Sequence, residues 1–254
     1  MPQTTTKSEQ ANKGERIAKY LARAGICSRR DAEKMILEGR VKVDGNILAS
    51  PAFNVTEASA VLVDGKSVAA REPARLWRYH KPAGLVTTAR DPQGRPTVFE
   101  NLPKNLPRVV SVGRLDLTTE GLLLLTNDGA LARHLELPKH GWMRHYRVRV
   151  HGTVNEARLK KLEGGLVLEG VRYGPIKATL EKAQGASNAW LEVGIREGKN
   201  REIRKVMEHM RLTVTRLIRV SFGPFPLAKL APGAVEEVPP RMMREQLADF
   251  FTEP

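Results

Sequence analysis

Three places in the sequence carry side chains able to do covalent or acid–base chemistry unaided. Asp116 closes Gly113-Arg114-Leu115-Asp116, just ahead of four leucines, Leu122 to Leu125, and the turn signal Asn127-Asp128-Gly129. Tyr146 opens an alternating run, Tyr146-Arg147-Val148-Arg149-Val150. Residues 197–205 read EGKNREIRK and bring Lys199, Asn200, Arg201 and Arg204 together. An aspartate can act as nucleophile or base without a cofactor. It must then stay ionised in a closed site, which an arginine achieves by attraction and a forked hydrogen bond. A tyrosine beside the pair can stack on a base and relay a proton. Each residue also has a plainer reading. Asp116 suits a turn or cap before Thr118-Thr119, Tyr146 suits an ordinary strand, and Arg204 suits a helix surface. The residue types alone leave both readings open.

Other chemistries lack their motifs. There is no GxxxxGK[ST] phosphate loop, no HExxH and no GxSxG. The six histidines, His80, His134, His140, His145, His151 and His209, have no cysteine company, so no metal is expected. The three between 134 and 145 sit among basic residues and read as RNA-facing or surface groups. Cys27 is the single cysteine; it reads as a packing residue in a reduced, cytoplasmic protein. No cofactor is implied.

With 254 residues, 41% of them apolar, the chain can fold as one large domain or two smaller ones. A formal charge of +14 predicts a polyanionic partner, nucleic acid ahead of an anionic membrane. Aromatic residues at 5% argue against a single-strand stacking platform. No run of 18 apolar residues exists, so no transmembrane helix is expected. The opening MPQTTTKSEQANKG lacks an apolar signal core, and residues 1–14 read as a flexible tail. A monomer is the default.

The elements that must position these residues fall into two groups. Ile17, Leu21 and Ala24 share one helix face, and Gly25 stops it. Ser28 caps a second helix carrying Ala32, Met35 and Ile36, which ends at Gly39. Two VxVDG runs, at 41–45 and 61–65, read as hairpins. Arg23, Arg29 and Arg30 cluster at the junction between the helices, where phosphate contact is easy, although a solvated face is the alternative. REPAR, residues 71–75, reads as a linker. Beyond it, strands are expected at 76–79, 84–87, 109–112, 122–126, 146–150, 191–195 and 212–219. Helices are expected at 130–135, 155–162, 203–210 and 242–250. The pattern predicts an α+β domain on a mixed, largely antiparallel sheet over 76–240, with a C-terminal helix over 241–254.

Two resemblances sharpen these expectations. Arg16-Ile17-Ala18-Lys19-Tyr20-Leu21-Ala22-Arg23-Ala24-Gly25, Ser28-Arg29-Arg30, Ile36, Gly39 and Val41-Lys42-Val43-Asp44-Gly45 closely resemble the S4 RNA-binding fold. The likeness implies an S4-like domain over 15–70 that binds structured RNA, with Arg16, Lys19, Arg23, Arg29 and Arg30 as contacts. The stretch from Gly113 to Leu124 with Thr126-Asn127-Asp128-Gly129 resembles the signature of pseudouridine synthases that act on ribosomal RNA. His80-Lys81-Pro82-Ala83-Gly84, Tyr146, Gly198 to Lys205 and Leu217-Ile218-Arg219 match further landmarks of that family. Thr118 stands where the family usually carries asparagine.

That resemblance implies isomerisation of uridine to pseudouridine in RNA, with the base flipped out of its stack and no cofactor. Asp116 would be the nucleophile and Arg204 would hold its carboxylate ionised and oriented. Tyr146 would pack on the uracil and help remove the C5 proton. Arg114, Leu115 and Leu217 would form the substrate pocket, with Arg114 on a phosphate or on the flipped nucleotide. Lys81, Lys199, Asn200 and Arg201 would contact RNA. Asp91-Pro92-Gln93-Gly94-Arg95-Pro96-Thr97-Val98-Phe99 and Glu197 to Glu202 look like the branch acting on the large-subunit (23S) rRNA, either as naked RNA or within a pre-ribosomal particle. The small-subunit (16S) branch is the near alternative, and an RNA-binding assembly factor without catalysis is the rival from another class.

Overall fold

The computed structural model describes residues 14–56, 58–69, 72–185 and 187–252. The chain divides into two compact units between Pro73 and Ala74. The tail expected over 1–14 lies, but for Gly14, outside the described residues, as does Arg71 of the expected linker.

The first unit is built from short pieces. Strand β1 (Glu15–Arg16) leads directly into helix α1 (Ile17–Arg23), and α2 spans Arg29–Leu37. Ser28 caps α2, its hydroxyl accepting the Asp31 N–H at 3.1 Å. Strands β2 (Val41–Val43) and β3 (Asn46–Ile47) form one hairpin. Strand β4 (Asn54–Val55) pairs with β1, while β5 (Val61–Val63) and β6 (Lys66–Ser67) form the second hairpin. The two VxV strands lie side by side, and Val41, Val43, Val61 and Val63 turn inward onto Ile17, Leu21 and Ile36. The alternation visible in the sequence is thus the core of this unit.

The second unit is organised by one nine-stranded sheet. In chain order its strands are β7 (Leu76–Lys81), β8 (Val110–Ser111), β9 (Thr119–Thr126) and β10 (Arg144–His151). After a two-stranded hairpin of β11 (Leu166–Leu168) and β12 (Val171–Tyr173) come β13 (Ile176–Gln184), β14 (Asn188–Ile195), β15 (Thr213–Phe222), β16 (Phe225–Pro226) and β17 (Val235–Glu237). The order is β13-β14-β10-β15-β9-β7-β17, antiparallel except where β15 runs parallel to β9. Helices α3 (Gly129–Glu136), α4 (Glu156–Lys161) and α5 (Glu202–His209) pack on it.

The leucine run needs no alternation because β9 is covered on both faces. Leu122 and Leu124 join a cluster with Leu131 and Phe222, and Leu123 and Leu125 join another with Trp77 and Leu115; all four leucines are 0% exposed. The parallel join requires Gly121, whose φ is +100° and whose place would put a Cβ 2.3 Å from the Arg219 carbonyl.

Some expectations are corrected. Residues 84–87 form a loop with a single bridge, Val86 to Thr97, because Gly84 takes a positive φ and its N–H is spent on the Leu117 carbonyl. The C-terminal helix is two helices, α6 (Pro240–Gln246) and α7 (Ala248–Thr252), broken at Leu247. Met243 and Leu247 belong to the core of the second unit. The last residue of the expected linker, Arg75, also belongs there: its N–H donates to Asn127 Oδ1 at 2.8 Å and its guanidinium grips Glu237. Strands β11, β12, β13, β16 and β17 lie outside the expected set; all but β13 are two or three residues long, too short for a period to show, and β13 alternates only over its first half.

Candidate active site

Asp116 sits on the turn that launches β9. Its carbonyl accepts the Thr119 N–H at 3.0 Å, so the turn reading of this residue holds for its backbone. Its carboxylate is free of that duty and lies 3.9 Å from Arg201 Nη1, with 34% of the side chain exposed.

The turn is held from beneath by Lys81, the last residue of β7. Residues Trp77, Tyr79 and Lys81 share the inward face of that strand, and Lys81 is 0% exposed. Its Nζ donates to the carbonyls of Thr119 (2.9 Å), Pro82 (3.0 Å), Asp116 (3.2 Å) and Leu117 (3.4 Å). The expected RNA contact at Lys81 is therefore wrong: an ammonium with no exposed surface cannot reach a phosphate, and its hydrogen bonds are spent inside. Burial pulls its pKa down to about 8, against the raising pull of Asp116 and Glu120. The signal was readable, since period-2 spacing puts residue 81 on the face of Trp77 and Tyr79. Thr87 pins the other side of the loop, exchanging hydrogen bonds with the Leu115 carbonyl (2.9 Å) and N–H (3.3 Å).

An open cavity of about 770 Å³ lies above this turn. Asp116, Tyr146, Arg204, Arg114, Leu115, Leu217, Lys199, Asn200 and Arg201 all line it, although they come from the β9 turn, β10, β15 and the segment leading into α5. Tyr146 (7% exposed) and Leu217 (5%) form its apolar wall, while Arg114 stands exposed. Arg201 enters α5 with a φ of +51°. Arg204, one turn on, donates from Nη2 to Thr118 Oγ1 at 2.9 Å and to the Thr118 carbonyl at 3.3 Å. The expected direct grip of Arg204 on Asp116 is thus replaced by a grip on the loop two residues further along, and Arg201 is the cation within ion-pair distance. Burial lowers the Arg204 pKa, Arg201 lowers it further and Asp116 opposes the shift.

Glu202, Arg144 and Arg219 also line the cavity, and nothing in the sequence singles them out for a role. Glu202 is 3% exposed; its Oε2 accepts the Lys199 N–H at 2.9 Å, and burial with Glu197 nearby pushes its pKa up to about 7. Their types carried no separate signal in a stretch already rich in charge.

In the first unit Arg16, Arg29 and Arg30 are exposed. Lys19 and Arg23 instead clasp Glu15, at 2.8 and 2.6 Å, holding its carboxyl below its ordinary value although burial works against that. Among the described residues there is no cluster of metal-ligating side chains and no helix long and apolar enough to cross a membrane.

The sequence pattern of the family described as RNA pseudouridylate synthase matches residues 75–209, and that of the S4 domain matches residues 15–61. A Rickettsia felis protein named as an uncharacterized RNA pseudouridine synthase is 50% identical over 224 residues, 88% of this chain and 96% of that protein. The chain belongs to the RNA pseudouridine synthase family. Another relative, the ribosomal large subunit pseudouridine synthase B of Escherichia coli O157:H7, is 44% identical over 226 residues, 86% of this chain and 77% of that synthase. A solved structure described as a pseudouridylate synthase superposes with a TM-score of 0.64 at 25% identity, covering 92% of this chain and 100% of its own. The two domains of this synthase, S4 and catalytic, correspond to the two compact units.

Proposed function

We propose that this synthase isomerises a uridine of large-subunit ribosomal RNA to pseudouridine, with Asp116 as the nucleophile. The observation that carries the reading is a carboxylate at the floor of an open, cation-rimmed cavity, on a turn whose Asp116, Leu117 and Thr119 carbonyls all accept from one buried lysine. The relatives named for the large-subunit reaction support the choice of RNA.

The uridine flips out of its stack into the cavity, since a stacked base cannot reach the carboxylate. Tyr146 packs on the uracil and takes part in removing the C5 proton, and Leu115 and Leu217 wall it. Arg114 meets a phosphate or holds the nucleotide out. Arg201 lies beside the Asp116 carboxylate and steadies it, and Arg204 orients the loop through Thr118. Lys199 and Asn200, at the rim, contact the RNA backbone. The first domain, over residues 15–70, supplies Arg16, Arg29 and Arg30 to RNA phosphates. We place the protein in the cytoplasm, together with its ribosomal RNA substrate.

The test is tritium release from C5-labelled uridine in large- and small-subunit rRNA transcripts, with wild type and Asp116→Asn side by side. Release from the large-subunit transcript, lost by more than about 1,000-fold in the variant, is expected. Release from the small-subunit transcript alone would overturn the substrate, and undiminished release by Asp116→Asn would overturn the nucleophile.

A further inference from the structure

Arg219 has no part in that reading, yet the sheet register puts it inside the same pocket. On β15 it lies two residues after Leu217, so both side chains fall on one face. Across the β10–β15 ladder it stands opposite Tyr146. It is 3% exposed and lines the cavity. Nε donates to the Leu122 carbonyl at 2.7 Å, and the guanidinium lies 5.4 Å from the Phe222 ring centroid. Those contacts hold the group rigidly but leave Nη2 buried with no hydrogen-bond partner. Of the neighbouring groups, Arg144 Nη1 donates to the Arg196 carbonyl at 2.9 Å and Glu202 Oε2 accepts from Lys199, while Glu202 Oε1 is itself buried without a hydrogen-bond partner. A buried cation with an open donor is costly unless something else completes it.

We propose that Arg219 donates to a carbonyl oxygen of the bound uracil and stabilises the negative charge the base carries while its bond to ribose is moved. This inference rests on the assignment of Asp116, Tyr146 and Leu217 to the uridine site. In the isomerisation the Asp116 carboxylate bonds to C1′ as the N1–C1′ bond breaks with its electron pair staying on the uracil. C5 then attacks C1′ and the carboxylate leaves, the C5 proton is lost, and N1 takes up a proton, so substrate and product have the same atoms and the carboxylate is regenerated. Between the two steps the ring is anionic and its charge sits largely on the carbonyl oxygens. A preorganised, water-excluded guanidinium acts on that charge more than on the neutral base, which is what accelerates a step.

The experiment uses the full-length protein and whichever rRNA transcript wild type converts, made with uridine or with 5-fluorouridine. Single-turnover loss of the starting nucleoside is followed by nucleoside analysis; a fluorine at C5 leaves no proton to lose there, so the fluorinated RNA stops at the C5-glycosyl product, whose N1=C6 bond takes up water. Fluorine withdraws electrons and itself stabilises the uracil anion, so the fluorinated RNA depends less on the protein for this. Arg219→Gln is expected to lose about 100- to 1,000-fold on uridine with the half-saturating RNA concentration little changed, and about tenfold or less on 5-fluorouridine. Equal losses on the two RNAs, or a change confined to half-saturation, would overturn the proposal, because a structural or purely binding role cannot tell the two bases apart. If Arg219→Gln lacks a cooperative melt, Arg219→Lys carries the same comparison, with a smaller loss expected and equal losses equally fatal. Wild type inactive on uridine, or Asp116→Asn active, would instead sink the assignment of the site.

Discussion

In the first unit, Arg29 and Arg30 stand exposed on the first turn of α2, held only by the cap beneath them. In the second, Lys81 and Arg219 are as buried as the leucines beside them; Lys81 Nζ donates to the carbonyls of Asp116 and Thr119, and Arg219 Nε to that of Leu122. Both units are basic, but the charge does different work. Exposed cations are placed loosely and meet a partner's phosphates. Buried cations replace backbone–water contacts with fixed ones, and so hold a loop where its aspartate must be. A count of lysines and arginines measures the first effect and is blind to the second.

The sharpest way to break this contrast is at Lys81. Lys81→Met should leave the turn carbonyls without their donor, costing about 3 kcal/mol of stability and about 100-fold in turnover, read by thermal melting and tritium release. RNA affinity should stay put; a loss of affinity with intact turnover would return Lys81 to the surface group.

The depressed pKa of Lys81 gives a second handle. The folded protein releases this proton near pH 8, whereas the unfolded chain holds it to the ordinary lysine range. Between those values the unfolded chain binds more protons, so the stability due to this group rises with pH. Activity should move the other way, falling with a midpoint near pH 8 as the hub loses a proton, and that limb should be missing from the residual activity of Lys81→Met. A pH–rate profile of both proteins decides it.

Within the cavity, Arg204→Ala should lower the single-turnover rate about 100-fold by releasing the Thr118 loop, and Arg201→Ala about tenfold, since its pair with Asp116 is long and half-exposed. Thr118→Val should reproduce part of the Arg204→Ala loss and add nothing to it, a double-mutant test of whether Arg204 acts through the loop.

The smallest effects belong to the first unit. Arg29→Ala and Arg30→Ala should each weaken RNA binding a few-fold and reduce the slope of log affinity against log salt by about 1, with melting and single-turnover chemistry unchanged. A salt slope equal to wild type in both variants would remove the contrast altogether.

Much of this was legible in the residues. The helix faces of α1 and α2, the Ser28 cap and the paired VxV strands follow from local periodicity, and they appear where the pattern put them. Tyr146, Leu217 and the segment 198–204 also line one cavity with Asp116. The misses share a cause. Strands β13 and β17 are edges, with few apolar residues to announce them. The strand expected at 84–87 gave way because its first N–H was claimed by a carbonyl 33 residues along the chain, Leu117. Lys81 reads as a surface cation by its type, although its place in the alternation with Trp77 and Tyr79 puts it inside.

The sequence by itself determined the two-unit division, the short-range elements and the cluster of residues able to do chemistry, because caps, turns and hydrophobic periods act over a few neighbours. Only the tertiary structure decided which arginine lies beside Asp116, which cations are buried and that Arg219 faces the same pocket as Tyr146. Those facts depend on the parallel join of β9 to β15, and a contact between strands nearly 100 residues apart leaves no local pattern to read.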